Sequence, residues 1–130
     1  MNHTRTSRIT AAGIGALFLL TSGAAAGAKA GDVRTSGRCT GASTWKLKLK
    51  TGDGALEAEA EVDQNRNGVR WTVWLDDNKV RVFTGTAVTK APSGSFSVSR
   101  RIPNRAGTDA VVLRATNPAT GEVCRGTASI

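Results

Sequence analysis

Tyrosine is missing from this chain of 130 residues, and histidine and methionine occur once each, at His3 and Met1. Cysteine occurs twice, proline three times, and aromatic residues make up 5%. Each scarcity excludes something. A serine or cysteine nucleophile usually depends on a neighbouring base, most often histidine, which is also the commonest transition-metal ligand. With His3 so close to the N-terminus, the rest of the chain has no imidazole for either role. Redox catalysis of the CxxC kind is excluded too, because Cys39 and Cys124 stand far apart. Apolar runs are also scarce. The one notable run, Ile9 to Leu20, is roughly a dozen residues, short of the ~20 that a membrane-spanning helix needs.

That run sits between a polar segment carrying Arg5 and Arg8 and the small-residue stretch Thr21 to Ala30. This is the three-part plan of a secretory signal peptide. Ala28-Lys29-Ala30 places alanine at both positions that a signal peptidase reads, so residues 1–30 are expected to be removed by cleavage after Ala30, with Ala26 as the second choice. Arg5 and Arg8 are not adjacent, which argues against a twin-arginine signal. Arg38 before Cys39 argues against a lipoprotein. The expected product is secreted, with no stable membrane anchor, and residues 31–130 form its single domain. Of the 18 basic residues, Arg5, Arg8 and Lys29 go with the leader; the remaining 15 face 10 acidic ones, and the net charge falls from +8 to +5.

An even cysteine count in an exported protein reads as a disulfide. Cys39 and Cys124 would close a loop of 85 residues, disfavouring the unfolded chain by about 4 to 5 kcal/mol on the loop-entropy relation. Free thiols or an intermolecular bond are the alternatives.

The remainder alternates with period two, the mark of strands with one buried face. Trp45, Leu47 and Leu49 alternate with Lys46, Lys48 and Lys50; Leu56, Ala58, Ala60 and Val62 alternate with Glu57, Glu59, Glu61 and Asp63. A tip at Gly52-Asp53 would pair Trp45 with Ala60 and Lys48 with Glu57. The resulting charged ladder needs no ligand, since such pairs contribute only ~0.2 to 1 kcal/mol each and commonly just solvate a face.

A third strand, Val69 to Leu75, sets Val69, Trp71, Val73 and Leu75 against Arg70, Thr72 and Trp74. A hairpin tip at Asp77-Asn78 would pair Val73 with Val82 and Leu75 with Val80, leaving Trp74, Arg81 and Phe83 together on the outer side. Such a group can stack on a sugar ring, a peptide or an apolar partner surface, and it is the candidate binding face; the bland alternative is that the three pack on each other or lie beneath a loop. Thr84 to Thr89 either extends the fourth strand past Gly85 or bends to a second sheet. Phe96 and Val98, then Val111, Leu113 and Ala115, then Cys124, Gly126, Ala128 and Ile130 supply further inward sets. About seven antiparallel strands at this spacing predict an all-β fold, a single sandwich rather than a barrel because of the buried Trp71, with the disulfide joining the terminal strands rather than the two sheets.

The segments Arg38-Cys39, Trp45-Lys46-Leu47-Lys48, Glu61-Val62-Asp63-Gln64-Asn65-Arg66 with Trp71 following, and Ser93-Gly94-Ser95-Phe96-Ser97-Val98 resemble those of small exported bacterial proteins with immunoglobulin-like β-sandwiches and uncharacterised function. The resemblance spans nearly all of the chain after the leader. It implies an immunoglobulin-like fold and export, and no catalytic signature.

Two other features have a chemical reading. Asp63-x-Asn65-x-Asn67-Gly68 matches the first half of an EF-hand calcium loop, but the position that requires a bidentate glutamate is Trp74, so no metal or other cofactor is expected. Lys90, Arg100, Arg101 and Arg105 form a basic stretch able to dock an anionic envelope polymer. Such charge also serves solubility, and no sequence-specific nucleic acid is expected. Three classes of function remain: a noncatalytic extracellular binding module, whose partner is an envelope polymer or another extracellular protein; a small-ligand carrier or secreted inhibitor; and, least supported, a histidine-free hydrolase.

Overall fold

The computed structural model describes residues 31–130, and the expected leader lies outside them. The described residues form eight strands: β1 (Asp32–Arg38), β2 (Thr44–Gly52), β3 (Ala55–Asp63), β4 (Arg70–Asp77), β5 (Val80–Val88), β6 (Ser95–Pro103), β7 (Ala110–Thr116) and β8 (Val123–Ser129). They make two four-stranded antiparallel sheets, ordered β1-β2-β3-β6 and β5-β4-β7-β8. No helix among the described residues is long and apolar enough to cross a membrane.

Seven strands were expected, and β1 is the addition. Its inward positions are Val33, Thr35 and Gly37, only one of them strongly apolar, so alternation barely registers. The core lies between the sheets and is built from the predicted inward sets. Leu47, Leu49, Leu56, Ala58, Ala60 and Val62 of one sheet meet Trp71, Val73, Leu75, Val111, Leu113 and Ala115 of the other, all essentially dry. The Trp71 indole N–H donates to Gln64 Oε1 at 3.1 Å, which satisfies its one polar atom at the core boundary.

Both predicted hairpin registers are corrected, for different reasons. In β2–β3 the tip is Asp53-Gly54, with φ of 50° and 74°, the two consecutive left-handed residues of a type I′ turn, for which Asp-Gly is a preferred pair. Trp45 therefore pairs with Val62, Leu47 with Ala60, Lys48 with Glu59 and Lys46 with Glu61. The shift is two residues, so every side chain keeps its predicted face. In β4–β5 the tip is Asn78-Lys79, with φ of 48° and 67°, and a tertiary clasp fixes it. Asn78 Nδ2 donates to the Thr108 carbonyl, Asn78 Oδ1 accepts from Ala110 N, and Asn78 N donates to the Ala110 carbonyl.

A register shift at Leu75/Asp76 then inserts one extra residue into β5. One extra residue reverses the facing of all that follows. Arg81 stays outside opposite Asp76, whereas Phe83 lies opposite Leu75 and packs against the core. Beyond it β5 continues past Gly85 to Val88 in the same sheet, where a Cβ on Gly85 would stand 2.7 Å from the Phe83 ring.

Cys39 and Cys124 are bonded, S–S 2.02 Å. They do join the terminal strands, but β1 and β8 belong to different sheets, so the bond also joins the sheets, contrary to the sequence expectation. The β1–β2 loop is held beside it: Thr40 N donates to the Val123 carbonyl, Val123 N donates to Thr40 Oγ1, and Ser43 donates to Glu122 through both its backbone N and its Oγ. At this closed side Trp45 is wedged between Gly37 of β1 and Gly126 of β8. On the opposite side β5 meets β6, where the Arg100 guanidinium lies over the Phe83 ring and Lys90 is bridged to Ser95.

Candidate functional site

The two outward faces differ in how their charges are balanced. On β1-β2-β3-β6 acidic side chains stand in every row that carries basic ones. Arg34, Lys48 and Glu59 form one row, in which Arg34 and Lys48 are direct partners of like charge and both reach Asp32, Arg34 at 3.7 Å; Lys46 and Glu61 lie in the next, and Asp32, Lys50, Glu57 and Arg101 form a third. Lys46 Nζ lies 3.9 Å from Glu61 and Lys48 Nζ 3.6 Å from Asp32. This face neutralises itself, as a solvated surface does.

The outward face of β5-β4-β7-β8 does not. It presents Arg70 and Trp74 on β4, Arg81 on β5, Arg114 on β7 and Arg125 on β8, with Asp76 as the acid that pairs within it. Asp76 is taken by Arg81, whose Nε donates to Oδ1. Arg114 and Arg125 are direct cross-strand partners, a like-charge pairing that costs the fold stability. Threonines 72, 84, 86, 116 and 127, together with Val88, Val112 and Val123, fill the surrounding positions, giving a positive surface of hydroxyl and aliphatic groups.

Trp74 stands at its centre, 36% exposed. The Arg81 guanidinium carbon lies 4.4 Å from the indole centroid and that of Arg114 lies 5.5 Å away. These arginines come from the strands on either side of β4. Each such contact contributes roughly 0.5 to 1 kcal/mol at an exposed site. Its larger effect is to fix the planar guanidinium forks, so that less side-chain freedom is lost when they bind an anion.

Of the predicted binding face, then, the structure brings Trp74 and Arg81 together and turns Phe83 away. Phe83 instead meets the other sheet, with the Arg100 guanidinium carbon 4.4 Å from its centroid. Sequence reasoning missed Arg114 and Arg125, because β4 meets β7 only through the topology, 40 residues along the chain.

The predicted basic stretch does not assemble into one patch. Lys90 sits in the β5–β6 connection, bridged to Ser95. Arg100 points between the sheets onto Phe83, while Arg101 lies on the outward face opposite Glu57 and donates to the Asp53 carbonyl at 3.0 Å. Arg105 partners a buried acid: its Nε lies 3.5 Å from Asp77 Oδ2, and its backbone N donates to Asp109. Adjacent residues of one strand face opposite ways, so a linear run of arginines here becomes three separate environments.

In the loop that resembles half a calcium site, Asp63 Oδ1 accepts from Asn65 N, and the Arg66 carbonyl accepts from Thr89 Oγ1. These are the bonds of a sharp connection. Among the described residues no three His, Cys, Asp or Glu side chains are grouped to hold a metal ion. The surface has shallow hollows, one of about 480 Å³ over the β2–β3 tip and β6, lined by Lys50, Glu57, Arg100 and Arg101. It is open and charged, unlike the enclosed apolar pocket of a small-ligand carrier.

No protein-family model matches the chain, and no curated protein matches it.

Proposed function

We propose that this chain is an exported, noncatalytic binding module whose outward β5-β4-β7-β8 face takes an anionic polymer of the cell envelope. The observation that carries this reading is the contrast between the faces. One sheet carries acids in each of its basic rows, with the facing cations Arg34 and Lys48 sharing Asp32, whereas the other sets Arg114 directly against Arg125 and holds Arg81 and Arg114 over an exposed tryptophan. A phosphate or carboxylate bridging Arg114 and Arg125 would relieve their repulsion, and guanidinium forks match either group bidentately. Trp74 acts in this reading as the support that holds the arginines, with its exposed edge left for an apolar contact. Export is supported by the three-part N-terminal segment and by the disulfide, which suits an oxidising compartment. The two-sheet layering and the buried Trp71 on an inner strand support an immunoglobulin-like reading, but the strand order departs from that plan in keeping β2 and β3 in one sheet.

The test is binding of the chain from Gly31 onward to poly(glycerol phosphate) and to polygalacturonate, with neutral dextran as control. Replacing Arg114 and Arg125 by alanine is expected to weaken binding to one or both anionic polymers at least tenfold, whereas Lys46→Ala with Lys48→Ala leaves it unchanged. Equal losses from the two pairs, or equal binding to dextran, would refute the reading.

A further inference from the structure

A sheet edge exposes unpaired backbone N–H and C=O groups, and proteins guard such edges with charges, prolines, inward-pointing cations or a covering element. Three of the four edges here are guarded. β1 carries Asp32, Arg34 and Arg38 and ends at the disulfide; β6 aims Arg100 inward, carries Arg101 outward and ends in Pro103; β8 holds Cys124 and Arg125 beside the loop that crosses to it. The fourth edge, β5, differs. After Arg81 it runs Val82-Phe83-Thr84-Gly85-Thr86-Ala87-Val88 without a charge or a proline, and its bulge sits at the tip end, leaving the remainder regular. Val80 and Val88, at its two ends, are 48% and 39% exposed.

The segment is also complementary to itself. Antiparallel pairing with a second copy about a two-fold axis through Gly85 sets Thr84 opposite Thr86 on the outward face and Phe83 opposite Ala87 on the inward face. Thr–Thr is a favourable cross-strand pair, a large ring meets a small side chain, and no like charges meet. We infer that β5 pairs with β5 of a second copy to form a symmetric dimer with one continuous eight-stranded sheet. The two Trp74 clusters then share one face, three strand spacings apart, about 14 Å. A polymer with repeating charges could engage both clusters, gaining avidity without new contacts. That consequence rests on the function proposed above; the dimer itself does not.

Sedimentation equilibrium of the chain from Gly31 onward, over a wide concentration range and without polymer, tests the dimer alone. The native sequence is expected to show a concentration-dependent monomer–dimer equilibrium. Thr84→Lys with Thr86→Lys sets lysine against lysine across the axis and is expected to raise the dissociation constant at least tenfold. Thr84→Lys with Thr86→Glu sets lysine against glutamate and restores the dimer, which separates pairing from damage to the fold. Thr127→Lys, on the same face but at the far edge, leaves the equilibrium unchanged. A native chain that stays monomeric throughout, a double-lysine variant that dimerises normally, or a lysine–glutamate variant that does not recover would each overturn the inference. A dimer that forms as expected yet binds neither anionic polymer would sink the functional reading and leave the dimer standing.

Discussion

Replacing Gly126 by alanine inserts one methyl group against the Trp45 ring, which reaches it from the other sheet. A Cβ there would stand 2.5 Å from Cε3 and Cζ3 of Trp45 and 2.8 Å from Cη2. The indole cannot simply retreat, because its other edge is already against Gly37, where a Cβ would stand 2.8 Å from Cζ2. Something must shift, either the ring or the β8 backbone that carries Cys124 two residues away. Overpacking of this kind costs about 1 to 3 kcal/mol, which for a domain of this size lowers the melting temperature by roughly 5 to 20 °C. Thermal unfolding of the oxidised chain, followed by near-ultraviolet circular dichroism, measures the shift. Trp45→Leu removes the ring and opens the space, so in that background Gly126→Ala should be nearly harmless, with a coupling of at least ~1 kcal/mol. Additive effects, within the few tenths of a kcal/mol seen for independent sites, would show that Trp45 does not fill the seam.

The remaining expectations concern the staple, the buried acid and the charged face. Replacing Cys39 and Cys124 together by alanine should lower unfolding free energy by about 4 to 5 kcal/mol, the cost of freeing an 85-residue loop; denaturant titration giving under half of that would mean the unfolded chain is already restrained. Arg105→Ala strips a cation from Asp77, whose side chain is fully buried, and should cost about 1 to 3 kcal/mol. Adding Asp77→Asn should recover part of that loss in the same titration, and no recovery would mean that the charge on Asp77 is not what Arg105 serves. Binding to an anionic polymer should weaken steeply as ionic strength rises and the Debye length shrinks from ~10 Å at 0.1 M to ~3 Å at 1 M. Salt-independent binding would point to apolar contact through Trp74 instead.

Much of the fold is legible in the chain because period-two alternation is a local property. Leu47, Leu49, Ala58, Ala60, Trp71, Val73, Val111 and Leu113 all face inward as their spacing requires, and a two-residue error in the first hairpin left those faces intact. The site is less legible because it depends on non-local facts. The extra residue in β5 leaves no sequence signature, yet it decides that Phe83 leaves Trp74 while Arg81 stays beside it. Arg114 and Arg125 look like isolated surface cations until β7 is laid between β4 and β8. Arg105, read along the chain as part of a basic cluster, belongs instead to an acid brought from the β4–β5 hairpin. Alternation tells which way a side chain points; strand order and register tell what it meets.

The most direct measurement is residue-resolved: amide chemical-shift mapping of the isotopically labelled chain from Gly31 onward during titration with poly(glycerol phosphate) or polygalacturonate. The expected perturbations cluster at Arg70, Trp74, Arg81, Arg114 and Arg125 and on the threonines between them, and the Lys–Glu rows of the opposite sheet stay still. Shifts spread over both faces in proportion to exposed positive charge, or centred on Lys46, Lys48 and Arg101, would contradict a dedicated binding face.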